Sequence, residues 1–215
     1  MSRYSTLCLI AFCFASLASG AAITDPTGDT FGLGPVEIDI TSIDAVAAAG
    51  TLTFTLTFAN TISPASAAAA NSIFGFIDID VDRNPSTGGG GSNQATFGIA
   101  PSPLLNDEFF LDLGSEASHP GLVDVVNAVT FATAGTAPIA YLSNSLSTGV
   151  PYSLLGSSTG LVNYGVVVGT ASEPTDEAVN GAGFATNAVP EPGTITLLGL
   201  ALLSVAAGKR LGTRI

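Results

Sequence analysis

The sequence predicts an all-β protein, built as a single antiparallel β-sandwich (jelly-roll or immunoglobulin-like) between an N-terminal signal peptide and a C-terminal apolar helix. Three observations predict this. Central segments alternate apolar and polar residues, clusters of Gly, Pro, Asn and Ser separate them, and short apolar runs stand at both ends of the 215-residue chain. Apart from the Ala-rich stretch 65–70, which predicts one helical turn or a loop, no central segment has a helical period. Residues 22–177 are therefore expected to form one sandwich domain.

Residues 1–21 have the pattern of a secretory signal peptide. A single arginine is followed by the apolar run Leu7–Phe14, which is too short to span a bilayer of about 30 Å, and then by small residues. Cleavage is expected after Ala21. Both cysteines, Cys8 and Cys13, lie in this segment, so the mature protein is expected to reach an oxidising compartment without a disulfide.

The strand prediction is clearest over Thr51–Phe58, where four apolar residues alternate with four threonines. A strand of this pattern has one buried face and one wet face. Further strands are predicted at Val36–Ile40, Phe76–Asp82, Glu108–Leu113, Leu122–Phe131, Ile139–Leu142 and Tyr164–Val168. Residues 178–189 are predicted to form a flexible tether to the C-terminal segment.

The charge of the chain excludes one class of partner. Lys and Arg total 5 against 17 Asp and Glu, which gives a net charge of −12. All acidic residues except Glu191 lie within residues 22–189, where Arg83 is the only basic residue. A nucleic-acid-binding protein needs a basic face, so we expect no nucleic acid as partner, whereas divalent cations suit such a surface.

Asp78, Asp80 and Asp82 stand at alternate positions of one predicted strand, which places the three carboxylates on one face. Carboxylates in line repel one another unless a cation lies between them. Ca²⁺ prefers dense carboxylate oxygens, so these residues are a candidate calcium site; the alternative is an exposed acidic strand end. The turn that follows adds the oxygens of Asn84, Ser86 and Thr87. Asp25 and Asp29 form a second acidic cluster near the N-terminus.

Nothing in the sequence singles out a catalytic constellation. The only histidine, His119, is followed by a proline as in a loop. Residues 156–160 match a nucleophile-elbow pattern around Ser158, but no histidine follows it in the chain. The many carboxylates always offer some pair, so a carbohydrate-active enzyme remains the least favoured alternative.

The C-terminal residues 190–215 form a segment of three parts. It consists of Pro190, Glu191, Pro192 and Gly193, an apolar stretch predicted to be helical over about residues 194–208, and the basic residues Lys209, Arg210 and Arg214. The predicted helix is short for a bilayer, and the positive-inside rule keeps the basic tip in the cytoplasm. The segment predicts an at least transient membrane anchor with a cytoplasmic C-terminus.

This segment resembles the PEP-CTERM sorting signal, in which Pro-Glu-Pro precedes an apolar helix and a basic tip. The resemblance implies recognition by an exosortase, a membrane transpeptidase, in a Gram-negative bacterium that makes exopolysaccharide. Together with the signal peptide it implies a protein that is secreted or held in the cell envelope.

The body resembles the DOMON-like and family 9 carbohydrate-binding-module β-sandwiches. Asp25–Asp29, Phe76–Gly88 and Val150–Gly156 carry the resemblance. It implies a sandwich fold and polysaccharide as a partner. The chain departs from these families because it has no Trp for a sugar platform and lacks the Met and His ligands of haem-binding DOMON domains.

We therefore expect an exported, non-catalytic protein of the envelope or extracellular matrix that contacts glycan. A glycan-binding module exposes aromatic residues on one face, for which Tyr141, Tyr152, Tyr164 and Phe110 are the candidates. The alternative is a purely structural matrix protein whose acidic surfaces are bridged by Ca²⁺.

Overall fold

The computed structural model describes residues 22–89, 93–99, 105–156, 160–180 and 184–187. The signal peptide, the C-terminal sorting segment with its apolar helix, and Ser158 lie outside these residues. The described residues all belong to one compact unit, Ser19–Pro190. In this part of the chain, no helix has the length and apolar character needed to cross a membrane.

The described residues confirm the all-β prediction. The strands are β1 Ile23–Thr24, β2 Ile40–Ala48, β3 Thr51–Phe58, β4 Phe74–Asp80, β5 Phe109–Asp112, β6 Leu122–Asn127, β7 Thr133–Leu142, β8 Ser145–Pro151, β9 Asn163–Gly169, β10 Pro174–Ala178 and β11 Ala185–Thr186. One short α-helix, α1, spans Asn93–Phe97, and 3₁₀ turns lie at Ala65–Ala67, Leu113–Ala117 and Tyr152–Leu154. Every strand pair is antiparallel, in the order β1-β2-β3-β8-β7-β6-β5-β4-β9-β10, with β11 paired to β9.

One long strand connects the two layers of the sandwich. The first part of β7, up to Pro138, pairs with β6, whereas Ile139–Leu142 pairs with β8. The sheet therefore folds over, and β1-β2-β3-β8 forms one layer while β6-β5-β4-β9-β10 forms the other. Phe54 of β3 meets Tyr164 of β9 edge to face at a centroid distance of 5.4 Å, which marks the core between the layers.

The predicted strand Thr51–Phe58 is confirmed at both bounds as β3. Its Leu and Phe side chains are buried and its threonines are partly exposed, as the alternation requires. Hydrogen-bonded neighbours on both sides, β2 and β8, fix its register. This strand forms the centre of its layer.

Several bounds differ from the predictions. The predicted strand Val36–Ile40 is wrong over most of its length, because β2 begins only at Ile40. The N–H groups of Ile38 and Ile40 bond to side chains of β10 instead of a neighbouring backbone: Ile38 to Thr175 Oγ1 at 2.9 Å and Ile40 to Asp176 Oδ2 at 2.6 Å. Residues 36–40 have the alternating side-chain pattern of a strand, but the N–H groups of Ile38 and Ile40 do not form the backbone hydrogen bonds of a β-ladder.

Several elements were not predicted: strands β1, β8, β10 and β11, helix α1, and all of β2 after Ile40. The alternation of β8 is hidden by the buried threonine Thr148, and β10 consists largely of polar residues that are fully buried. Within the predicted tether 178–189, Ala185–Thr186 form β11, which pairs with β9, and Ala185 packs into the core. The Ala-rich stretch does form the predicted short turn, at Ala65–Ala67.

Candidate functional site

Asp78 is fully buried and holds the segment that contains α1. Its carboxylate accepts the N–H of Gln94 at 2.8 Å and the side-chain amide of Asn93 at 2.8 Å. Burial raises the pKa of Asp78 to about 6, while these two donors act in the opposite direction. The expected exposed acidic strand end is therefore wrong at this position, because α1 covers the carboxylate.

Asp80 and Asp82 lie close to a third carboxylate, that of Glu108. One oxygen of each residue lies within 4.8 Å of those of the other two, and we call this group the β4 acidic site. Asp80 is buried, Glu108 is half-buried and Asp82 is exposed, so the site opens to solvent on one side. The structure thus brings two of the three predicted metal residues together and gives Asp78 other partners.

The β4 acidic site has oxygens that lack a partner among the described residues. Glu108 uses Oε2 to accept the N–H of Val81 at 2.8 Å, but its Oε1 is buried without a hydrogen bond. The neighbouring Asp107 is only 1% exposed, and its Oδ1 is likewise unpartnered. Buried carboxylate oxygens without donors are costly, and a cation is one way to satisfy them.

The carboxylates around this site repel one another. Burial, followed by the negative charge of Asp78, raises the pKa of Asp107 to about 8. Burial also raises the pKa of Asp80 and of Glu108. The basic residue next to the site, Arg83, contributes only its backbone N–H, which bonds Asp80 Oδ1 at 2.5 Å; its guanidinium forms no ion pair with the described carboxylates. Within the described residues, no ion pair therefore balances the charge of the site.

The turn after Asp82 is organised by its own side chains. Asp82 accepts the N–H of Asn84 at 2.9 Å and the hydroxyl of Thr87, and Asn84 accepts the N–H of Ser86 at 3.1 Å. Gly88 then passes so close to the backbone of residues 106–107 that a Cβ would lie 2.4 Å from a carbonyl oxygen, at a φ of +96°. The predicted oxygens therefore organise the turn itself, and Gly88 lets it pack against the segment before β5.

The sequence did not identify Glu108 and Asp107 as site residues. They immediately precede β5, and β5 pairs with β4 so that Phe109 stands opposite Ile79. The signal in the sequence is an acidic pair just before one strand, β5, together with the acidic end of another strand, β4. It becomes informative only once the two strands are known to be neighbours.

Asp25 and Asp29 do not join the β4 acidic site. One oxygen of each lies within 4.8 Å of an oxygen of Asp176, a fully buried residue of β10. Burial, with the charge of Asp29 next, raises the pKa of Asp25 to about 7. The two acidic clusters are therefore separate.

A cavity of about 240 Å³ opens beside β4 and β9. Phe76 and Phe97 stack in its wall at a centroid distance of 5.6 Å and an interplanar angle of 17°, and Phe97 is 42% exposed. Asp112 and Glu173 also line the cavity. It combines an aromatic surface with carboxylates.

The four aromatic residues proposed for a glycan surface do not form one. Tyr164 is 2% exposed and Phe110 is 8% exposed, so both belong to the interior. Tyr141 donates its hydroxyl to the buried carboxylate of Glu116 at 2.7 Å, and Tyr152 is only partly exposed. His119 does lie in an exposed turn, 3.7 Å from Asp124, as the sequence predicted.

The predicted sorting residues, Pro190, Glu191, Pro192 and Gly193, and the basic residues Lys209, Arg210 and Arg214 lie outside the described residues. Residues 188–210 match the family model of the PEP-CTERM protein-sorting motif. No curated protein matches the chain. The motif supports an exported, envelope-associated protein that is sorted by exosortase-type machinery, and the chain carries this motif behind an all-β domain.

Proposed function

We propose that this exported protein is a non-catalytic component of the cell envelope or extracellular matrix whose domain binds Ca²⁺ at the β4 acidic site. The observation that carries the proposal is the convergence of Asp80, Asp82 and Glu108; Asp107, which precedes Glu108 in the chain, adds a buried and unpartnered Oδ1. Only oxygen donors are present, and the mouth at Asp82 leaves room for water ligands. An all-oxygen, partly hydrated set of this kind suits Ca²⁺ rather than Zn²⁺.

A calorimetric titration of Ca²⁺ into the chelator-treated chain tests this site. Asp82→Asn removes a ligand at an exposed position, so the fold survives, and we expect the affinity of one binding event to fall about tenfold or more. The matched control is Asp124→Asn, which removes the same charge beside His119 and should titrate like the wild type. Identical titrations of wild type and Asp82→Asn would contradict the proposal.

The positions of the carboxyl groups with the most strongly raised pKa support a non-catalytic function. The groups whose pKa is raised to about 6 or above are Asp25, Asp78, Asp107 and Asp176. None of them lines the aromatic cavity or the second cavity, of about 260 Å³, next to β2. Burial also raises the pKa of Asp112 in the aromatic cavity and of Asp39 in the second cavity, but each already accepts a backbone N–H at 2.9 Å, from Gly114 and Gly28 respectively. Incubation with candidate polysaccharides should therefore release no reducing ends; release that Asp112→Asn abolishes would overturn this part.

Glycan contact is a second proposed function, favoured by the aromatic cavity. Stacked phenyl rings offer a flat apolar surface to the faces of sugar rings, and carboxylates at the same cavity can accept bonds from hydroxyl groups. A glycan array with the intact chain tests it. Phe97→Ala should lose the signal, while Phe131→Ala, at a 76% exposed position outside the cavity, should keep it. Equal signals for both variants would refute glycan contact at this cavity.

We also propose that residues 194–208 anchor the chain in the membrane, with the basic tip in the cytoplasm, until the sorting machinery acts at Pro190-Glu191-Pro192. Mass spectrometry of the protein from the producing cell should show loss of the tip. An intact C-terminus in the wild-type cell would favour simple anchoring.

A further inference from the structure

We propose a second cation site, independent of the β4 acidic site, at which Asp25, Asp29 and Asp176 bind Ca²⁺ and tie the N-terminal segment to β10. We call it the N-terminal acidic site. Its three carboxylates come from two distant parts of the chain, and one oxygen of each lies within 4.8 Å of the others. A cation here would join the segment before β2 to the last strand of the opposite layer.

Asp25 and Asp29 are the two partly exposed carboxylates of the site, and each has a hydrogen-bond partner for only one of its two oxygens. The amide of Asn180 donates to Asp25 Oδ1 at 3.0 Å and to Asp29 Oδ2, so it holds the two side chains together. The remaining oxygens, Asp25 Oδ2 and Asp29 Oδ1, are buried and have no partner among the described residues. One amide therefore positions the pair without neutralising either charge.

An independent observation points to a ligand at the same place. Asp39 is 9% exposed, and its Oδ2 accepts the N–H of Gly28 at 2.9 Å, which holds the carboxylate over the turn between Asp25 and Asp29. Its Oδ1 is buried and unpartnered within the described part of the chain. Asp39 is close enough for its charge to raise the pKa of Asp25, so a third carboxylate with a buried, donor-less oxygen lies next to the pair.

No positive charge of the described residues compensates this region, since Arg83 belongs to the other acidic cluster. Oxygen ligands alone again favour a hard cation such as Ca²⁺. Counting Asp39, the four carboxylates carry more negative charge than one Ca²⁺ neutralises. Binding of Mg²⁺ and of monovalent ions is therefore compared with binding of Ca²⁺ in the test.

The site would strengthen a seam that the backbone alone leaves weak. Between the segment before β2 and β10, one backbone bond, from Phe31 N to Thr175 O at 2.8 Å, is supplemented by bonds to side chains: Thr175 Oγ1 both accepts from Ile38 N and donates to Ile38 O, and Asp176 accepts from Ile40 N. Asp176 is therefore a seam residue and a candidate ligand at once. Cation binding should close this edge of the sandwich where the chain continues towards its sorting segment.

The test combines calorimetry with hydrogen exchange on the intact, chelator-treated chain. With millimolar Ca²⁺, we expect the amides of Phe31, Ile38 and Ile40, which bond to β10, to exchange at least about tenfold more slowly. Asp29→Asn should abolish this protection and remove one binding event. Asp82→Asn should leave the protection unchanged, and Mg²⁺ should protect less than Ca²⁺.

Two results would overturn the inference. The first is wild-type exchange at these amides that Ca²⁺ does not slow, and it applies even if Asp29→Asn fails to fold. The second is an Asp29→Asn chain that binds as many ions as the wild type. Asp82→Asn reports on the β4 acidic site separately, so the results can contradict the proposal for one site without contradicting the proposal for the other.

Discussion

Strands β3 and β4 are equally central to their layers, yet they fill the interior with different chemistry. In β3 the buried positions are Leu and Phe, and the threonines face outward. In β4 the last four residues are all buried, and two of them are Asp78 and Asp80. The comparison shows that a buried position in this fold can hold a carboxylate instead of an apolar side chain, provided that the carboxylate accepts hydrogen bonds from backbone N–H groups.

The buried carboxylates of the second region replace missing strand neighbours. Asp78 accepts from Gln94 N, Asp176 from Ile40 N, and Glu177 from Ile99 N at 3.2 Å. Gln94 and Ile99 lie outside the sheet, and Ile40 is the first residue of β2, so each of these N–H groups lies at or beyond the end of a strand ladder. Hydrogen bonds to a charged acceptor contribute about 1.5–3 kcal/mol, which offsets part of the cost of burying the charge.

The largest effect should follow from opening the apolar region. Phe54→Ala removes a fully buried ring that packs against Tyr164, so we expect a loss of about 3–5 kcal/mol in the free energy of unfolding. The control on the other face, Thr55→Ala, should change it by less than about 0.5 kcal/mol. Denaturant titration measures both, and a similar loss for the two variants would contradict the assignment of faces.

The acidic region should make stability depend on pH, in the direction opposite to that of a salt-bridged carboxylate. Asp107 and Asp176 each have a pKa of about 8, raised chiefly by burial, then by Asp78 for the first and Asp25 for the second. Glu108 and Asp80 also face Asp107, and Asp29 faces Asp176. Between about pH 4 and pH 8 the folded chain therefore holds protons that the unfolded chain has released.

That contribution is complete below pH 4 and is lost as the pH rises through 8. In the presence of a chelator, we expect a loss of at least about 2 kcal/mol between pH 5 and pH 8.5, or at least about 4–8 °C in the midpoint of thermal unfolding. Ca²⁺ should restore most of the loss at pH 8.5 and little at pH 5, since protons compete for the same oxygens. A chelated chain that becomes more stable with rising pH would contradict this.

The effect of one substitution on the free energy of unfolding should depend on whether Ca²⁺ is present. At pH 7.5 the unfolded chain has an ionised Asp107, whereas folding requires this carboxyl to take up a proton or bury its charge; Asp107→Asn removes that cost, so in chelator we expect a gain of about 1 kcal/mol. In Ca²⁺ the same variant should gain less from the metal than the wild type does. The conservative control is Asp124→Asn, which should be neutral in both conditions. Destabilisation of Asp107→Asn in chelator would show that its carboxylate is satisfied by the protein itself.

The same comparison explains how much the sequence could predict. Alternation located β3 at both bounds because apolar and polar residues there separate by face. It missed β10, since Thr175, Asp176 and Glu177 are buried although a pattern of this kind is typical of a surface. Of the carboxylates that the fold brings together, Asp80 and Asp82 were singled out from their spacing, whereas Glu108 and Asp176 depended on which strands become neighbours. The pairing of strands distant in the chain is a tertiary property that local periodicity does not contain.

The smallest effect on stability should come from the aromatic cavity, and it separates packing from binding. Phe97 is 42% exposed and sits on α1, which the buried carboxylates Asp78 and Glu177 hold through the N–H groups of Gln94 and Ile99. Its ring therefore adds little to folding, and Phe97→Ala should cost less than about 1 kcal/mol. If the cavity contacts glycan, this variant loses binding while it keeps its fold, in contrast to Phe54→Ala. A loss of stability as large as that of Phe54→Ala would place Phe97 in the core and remove the main support for glycan contact.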